Sequence, residues 1–230
     1  MNHIICSHKI TEEIEQNLIN LGATPVKLRG IDKFGEVHPL YYHPDMFCFK
    51  LDDNNWIFYD EIKADLSGVK IDFIPTPTSG EYPHDVGLNA AMFGGYLICN
   101  VKHTNKKIIE YAKKTGKNII DVKQGYTKCS VCIVDEKSII TSDDSIYKKA
   151  MQNNINVLLI VKGHINLEGY DCGFIGGCSG LIDKNKLAFT GNIKLHPDYE
   201  NIKSFCNNRG VEIISLSDKK LYDYGSLFIM

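Results

Sequence analysis

No stretch of this 230-residue sequence stays apolar for the length that a membrane crossing needs, and Met1–Lys9 lacks the long apolar core of a secretory leader. The expectation is a cytoplasmic protein that does not engage a membrane. An excess of positive charge is missing too. Lys and Arg number 26 against 28 Asp and Glu, a formal net charge of -2, which leaves no bulk basic surface for nucleic acid. Eight cysteines are too sparse for a disulfide scaffold, and in a reducing compartment most serve as small buried apolar thiols. Phosphate-binding and zinc signatures are absent as well. Gly173–Gly180 is glycine-rich but has neither G-x-G-x-x-G spacing nor a Walker lysine, and it reads as a bulged or tightly turned hairpin. Cys129 and Cys132 form one C-x-x-C with no second ligand pair. Neither a cofactor nor a metal is expected.

What the sequence does have is a repeat. Gly22–Leu28, Gly68–Ile74, Gly116–Val122, Asn154–Ile160 and Gly210–Leu216 are one phrase written five times, a helix-ending Gly or Asn followed by a strand. A helical pattern precedes each: Ile14, Leu18 and Leu21; a short one at Ile62 and Leu66; Ile108, Ile109 and Ala112; Ile146, Tyr147 and Ala150; Tyr199, Ile202 and Phe205. Spacings of three and four give each helix one apolar stripe. Caps are expected at Thr11, Asp60, Thr104, Ser142 and the His196-Pro197-Asp198 turn.

Before four of these helices lie two short apolar runs. They are 45–49 with 56–59, 87–93 with 96–99, 129–134 with 138–141, and 173–182 with 187–190. The fifth pair is split: Ile4-Ile5-Cys6 has no strand before it, and Ser226–Met230 has none after it. Pairing the two would complete a fifth ββαβ unit and remove two open sheet edges. The expected fold is one α/β domain over 1–230, a five-bladed α/β propeller closed by its terminal strands.

Aligned in this way, the lead-ins to the first strands bring His43, Asp45, Asp85, Cys129, Asp171 and Asp223 towards one axis. Four converging carboxylates repel one another unless a cation or shared protons compensate. A planar guanidinium suits them because its N–H fork matches carboxylate oxygens in pairs. A thiolate at Cys129 could attack the central carbon while His43 carries protons.

These features resemble the pentein superfamily, the guanidine-modifying enzymes that include arginine and agmatine deiminases and dimethylarginine hydrolases. The closest likeness is to an uncharacterised bacterial family of that fold. His43-Pro44-Asp45-Met46-Phe47-Cys48-Phe49 is similar to the His-x-Asp strand that carries the deiminases' catalytic histidine and a substrate-binding aspartate. The resemblance implies a cysteine-dependent hydrolase or amidinotransferase acting on a guanidino small molecule. In it Cys129 is nucleophile, His43 the proton carrier, Asp171 and Asp223 the guanidinium holders, and Asp45 or Asp85 the orienting acid. The cyclic order of these groups matches the family; the linear order does not, because the family's nucleophile usually lies on the last strand, where this chain has Gly225-Ser226-Leu227. The same fold also occurs in a non-catalytic ribosome anti-association factor, so a binding protein with a macromolecular partner is the alternative. Sequence leaves open a third reading, an oxygen-rich site for a hard cation.

Overall fold

The computed structural model describes residues 2–31, 40–63, 66 and 68–230. Its strands form five three-stranded sheets, each an antiparallel pair extended by a parallel strand. One sheet joins β1 (Asn2–Ser7) and β2 (Ala23–Leu28) to β15 (Phe228–Ile229), with Ile4 opposite Ile229 and Ile5 opposite Phe228. The split unit is thus completed by the two ends of the chain. The second sheet is β3 (Cys48–Lys50), β4 (Asn55–Tyr59) and β5 (Lys70–Ile74); the third is β6 (Ala91–Phe93), β7 (Tyr96–Cys99) and β8 (Asn118–Asp121). The fourth is β9 (Cys132–Asp135), β10 (Ser138–Thr141) and β11 (Asn156–Leu159); the fifth is β12 (Ser179–Asp183), β13 (Lys186–Phe189) and β14 (Glu212–Ser215).

Each middle strand is covered on both faces and reads as an unbroken apolar run, as Ile139-Ile140 in β10 and Leu187–Phe189 in β13 do. The crossovers α1 (Glu12–Asn20), α3 (Lys106–Lys114), α5 (Asp144–Gln152) and α6 (Tyr199–Asn207) each bury one pair four residues apart. These pairs are Ile14 with Leu18, Ile108 with Ala112, Ile146 with Ala150, and Ile202 with Cys206, against the sheets. Burying a side chain such as Leu18 stabilises by roughly 1.5–3 kcal/mol. Leu21, expected on the stripe of α1, is instead its exposed C-cap. All five helix-ending residues of the repeated phrase, Gly22, Gly68, Gly116, Asn154 and Gly210, have positive φ, the left-handed stop that glycine and asparagine tolerate. The short helix expected around Ile62 and Leu66 involves residues 64, 65 and 67, outside the described residues.

Two local expectations shift. The caps of α3 and α5 are Asn105 and Asp143, one residue beyond Thr104 and Ser142. Thr104 spends its hydroxyl on the Asn100 carbonyl, whereas the Asp143 carboxylate accepts the N–H groups of both Ser145 and Ile146. More important for function, the lead-ins to the first strands are helical turns rather than extended chain. They are α2 (Pro44–Phe47), a 3-10 turn at Asp85–Leu88 and α4 (Thr127–Ser130). Pro44 at the first helical position presets φ for the first of these.

The hairpin ends of β3, β6, β9 and β12, together with the C-terminal end of β15, surround a basin of about 1450 Å³, with Lys50, Met92, Ile133, Leu181 and Phe228 among its lining. Lys128, Leu88 and Leu227 contribute to it from the opposite, lead-in end of those strands. All eight cysteines are free thiols; Cys172 is half-buried and the rest are buried.

Candidate active site

At the lead-in ends, five hydrogen bonds pass from unit to unit and return to their start. Asp45 N–H donates to Gly225 O at 3.1 Å, Ser226 N–H to Gly177 O at 2.7 Å, and Gly177 N–H to Cys129 O at 3.0 Å. Lys128 N–H then donates to Asn89 Oδ1 at 2.7 Å, and Asn89 Nδ2 donates to Asp45 O at 3.1 Å. Every unit is therefore tied to its neighbours at the axis by backbone groups and the Asn89 amide.

Four predicted residues meet inside it. The Cys129 thiol donates to Asp45 Oδ2 at 3.2 Å, and His43 Nδ1 lies 3.6 Å from Asp223 Oδ1. His43, Asp45 and Cys129 each offer one donor atom within 4.8 Å of the others. All four residues are at most 2% exposed. Asp45 Oδ2 is already shared by two donors, so the group as built shares protons. Asp45 Oδ1 is buried and has no hydrogen-bond partner among the described residues. An unmet buried acceptor of this kind calls for a donor.

Asp223 is seated by the N–H groups of Phe174, 2.9 Å from Oδ2, and Gly225, 3.0 Å from Oδ1. Glycine is required beside it: a Cβ on Gly177 would collide with the Asp223 carboxylate, and one on Gly225, whose φ is +79°, would collide with His43. The glycine-rich segment before β12 thus makes room for the site rather than for a phosphate.

Burial sets the electrostatics. It pushes the Cys129 thiol well above its ordinary range, and the nearby Asp45 and Asp223 carboxylates add to the effect, against a hydrogen bond from Asn89 Nδ2 to Sγ at 3.1 Å. Burial also raises Asp45, with His43 and Lys128 opposing. Asp223 is raised to about 6 by burial, even with the Phe174 and Gly225 N–H groups and Lys128 favouring its charge.

The other two predicted residues sit elsewhere. Asp85 is buried and accepts the Tyr126 hydroxyl at 2.9 Å, and Tyr126, Phe174, Met46, Val86 and Leu167 form one apolar cluster with Cys129. Asp171 is exposed and has no hydrogen bond to the cluster among the described residues. Asp45 and Cys129 stand three residues before their strands, Asp171 eight before β12, so the lead-ins do not superpose. The place beside Asp223 goes to Gly173 and Gly177 instead. His196, expected to be structural, accepts the Asp198 N–H through Nδ1 at 3.1 Å.

Three residues were missed: Asn89, Lys128 and Ser226. Asn89 was signalled by its polarity between Leu88 and Ala90. Lys128 adjoins Cys129, and neighbours on a strand face opposite ways, but in this helical turn both side chains are buried. Ser226 stands where the resembling enzymes carry their nucleophile, and its hydroxyl reaches the same Asp45 oxygen as the Cys129 thiol, at 2.6 Å.

Five such units, with the terminal strands paired, make up a fold shared with several solved structures. Similar solved structures include a dimethylarginine dimethylaminohydrolase, at 11% identity and a TM-score of 0.56 over 99% of both chains. The amidinotransferase SxtG from Microseira wollei has a TM-score of 0.56 at 11% identity over 94% of this chain and 88% of that one. The agmatine deiminase of C. jejuni has a TM-score of 0.53 at 11% identity over 99% and 92%. These neighbours are guanidine-modifying enzymes, and at such identity the likeness is one of fold. The chain belongs to the family of unknown function DUF6873, which matches residues 5–228. No curated protein matches it in sequence. Among the described residues, no helix is long and apolar enough to cross a membrane.

Proposed function

We propose that this protein is a cysteine-dependent enzyme acting on a guanidino small molecule, a hydrolase or an amidinotransferase. The observation that carries the reading is a thiol hydrogen-bonded to a buried carboxylate whose other oxygen has no hydrogen-bond partner among the described residues. Asp45 Oδ1 and Asp223 offer acceptors for guanidinium N–H groups, the role first given to Asp171. Asp85 has its own tyrosine partner and is left to the outer wall.

With a cation seated between Asp45 and Asp223, the two charges that hold the Cys129 proton in place are offset, and the thiol ionises more readily. Sγ then bonds to the central carbon, the C–N bond to the leaving amine breaks, and His43 supplies the proton that amine needs. Water or an acceptor amine next displaces sulfur from the amidino carbon and gives its proton back to His43. Because Cys129 is 2% exposed, the apolar cover of Tyr126, Phe174 and Leu167 must part before a substrate reaches the sulfur.

Incubation with a haloacetamidine followed by peptide mapping tests this. The expected result is one adduct, on Cys129, lost in Cys129→Ser and slowed in Asp223→Asn. Even labelling of the eight cysteines, or none at Cys129, rejects the reading.

A further inference from the structure

Lys128 carries its amine into the interior. The residue is 7% exposed, and Nζ stands 5.3 Å from the centre of the Phe228 ring. A buried charge is costly unless it is paired. Its hydrogen-bond partner among the described residues is the Ser226 hydroxyl, which accepts from Nζ at 2.9 Å and donates to Asp45 Oδ2 at 2.6 Å, the oxygen to which the Cys129 thiol also donates. Three contacts thus run from the floor of the axial basin to the sulfur.

The backbone is bent to hold the middle of this chain. Ser226 has φ +72°, rare for a residue with a side chain, and is kept there by its N–H donating to Gly177 O at 2.7 Å. The hydroxyl is thereby aimed at Asp45 and, at 2.9 Å, at Gly176 O. No nucleophile, proton carrier or substrate-binding acid of the mechanism above accounts for this arrangement.

We propose that Lys128 and Ser226 are positioning residues for the thiol. The Lys128 ammonium, through the Ser226 hydroxyl, keeps Asp45 ionised and aimed at Cys129 Sγ. The link to catalysis rests on the guanidino reading; the relay itself does not. The groups facing Asp45 are His43 from its own turn, Cys48 from β3, Lys128 and Cys129 from α4, and Asp223 and Ser226 from the C-terminal segment, with the Asn89 amide alongside. His43 and Lys128 favour its charge, and Asp223 opposes it.

The test is a carboxyl ¹³C NMR titration of Asp45 in the wild type, Lys128→Met, Lys128→Arg and Ser226→Ala, with the pH profile of Cys129 alkylation by iodoacetamide measured in parallel. In Lys128→Met the Asp45 midpoint is expected to rise by roughly one pH unit. Lys128→Arg restores it, and Ser226→Ala gives a smaller rise. An unmoved Asp45 midpoint in Lys128→Met overturns the proposal. Should that variant not fold, an unmoved midpoint in Ser226→Ala overturns it equally. If wild-type Cys129 resists alkylation while the Asp45 midpoint moves as expected, the guanidino reading falls and the relay stands.

Discussion

Asp223 accepts two backbone N–H bonds, yet burial holds its carboxyl at about 6, above the ordinary 3.8. Between those values the folded protein keeps a proton that the unfolded chain releases, so stability is greatest below the lower value and declines as pH rises from about 4 to about 6. Asp45, also raised, adds to the same slope. Carboxylates held low, such as Asp198 under the Val161 N–H, act only at more acidic pH. Urea unfolding at about pH 4.5 and pH 7 is expected to show wild-type protein losing stability over that interval. Asp223→Asn should lose less; an equal loss in the variant would assign the slope to other groups. The thiol carries a second prediction at this scale. Since Asp45 and Asp223 hold its proton, a cationic haloacetamidine should label Cys129 faster than neutral iodoacetamide, with the advantage narrowing as pH falls through about 6 and Asp223 takes up a proton. Equal rates would mean that neither carboxylate meets the reagent.

Among the elements, the ends of α1, α3, α5 and α6 were legible to within a residue because their signals are local. A left-handed Gly or Asn and an apolar pair at four-residue spacing need no distant partner to be read. The one-residue slip at α5 is itself testable: Asp143→Ala should cost about 1 kcal/mol in thermal unfolding and Ser142→Ala much less, since Asp143 carries the two cap bonds. Lead-ins were read less well. Their helical turns are stabilised by the circuit between units, and a run such as Thr127–Ser130 is too short to declare itself in sequence. Gly177 links this scale to the site. Replacing it with Ala presses a methyl group into Asp223, and a loss of roughly 1–3 kcal/mol in urea unfolding is expected. Slower Cys129 labelling should accompany it.

For the whole molecule, the pairing of β1 with β15 joins the ends of the chain across 230 residues and seats Ser226 beside Gly177. Deleting residues 227–230 strips the β15 partner from Ile4 and Ile5 and removes buried Leu227. The expected result is a chain that no longer unfolds in one cooperative step and that associates through the bared edge of β1, measurable by calorimetry and light scattering. Such non-local closure was nevertheless legible, because a repeat that is missing one strand at each end names its own solution. By itself the sequence determined the five units, their order and the convergence of His43, Asp45, Cys129 and Asp223, since periodicity and helix stops are written in neighbouring residues. Only the tertiary structure decided that Asp171 stays outside while Asn89, Lys128 and Ser226 come in. That choice depends on how far each lead-in winds before its strand begins, which contacts between units fix and no local pattern records.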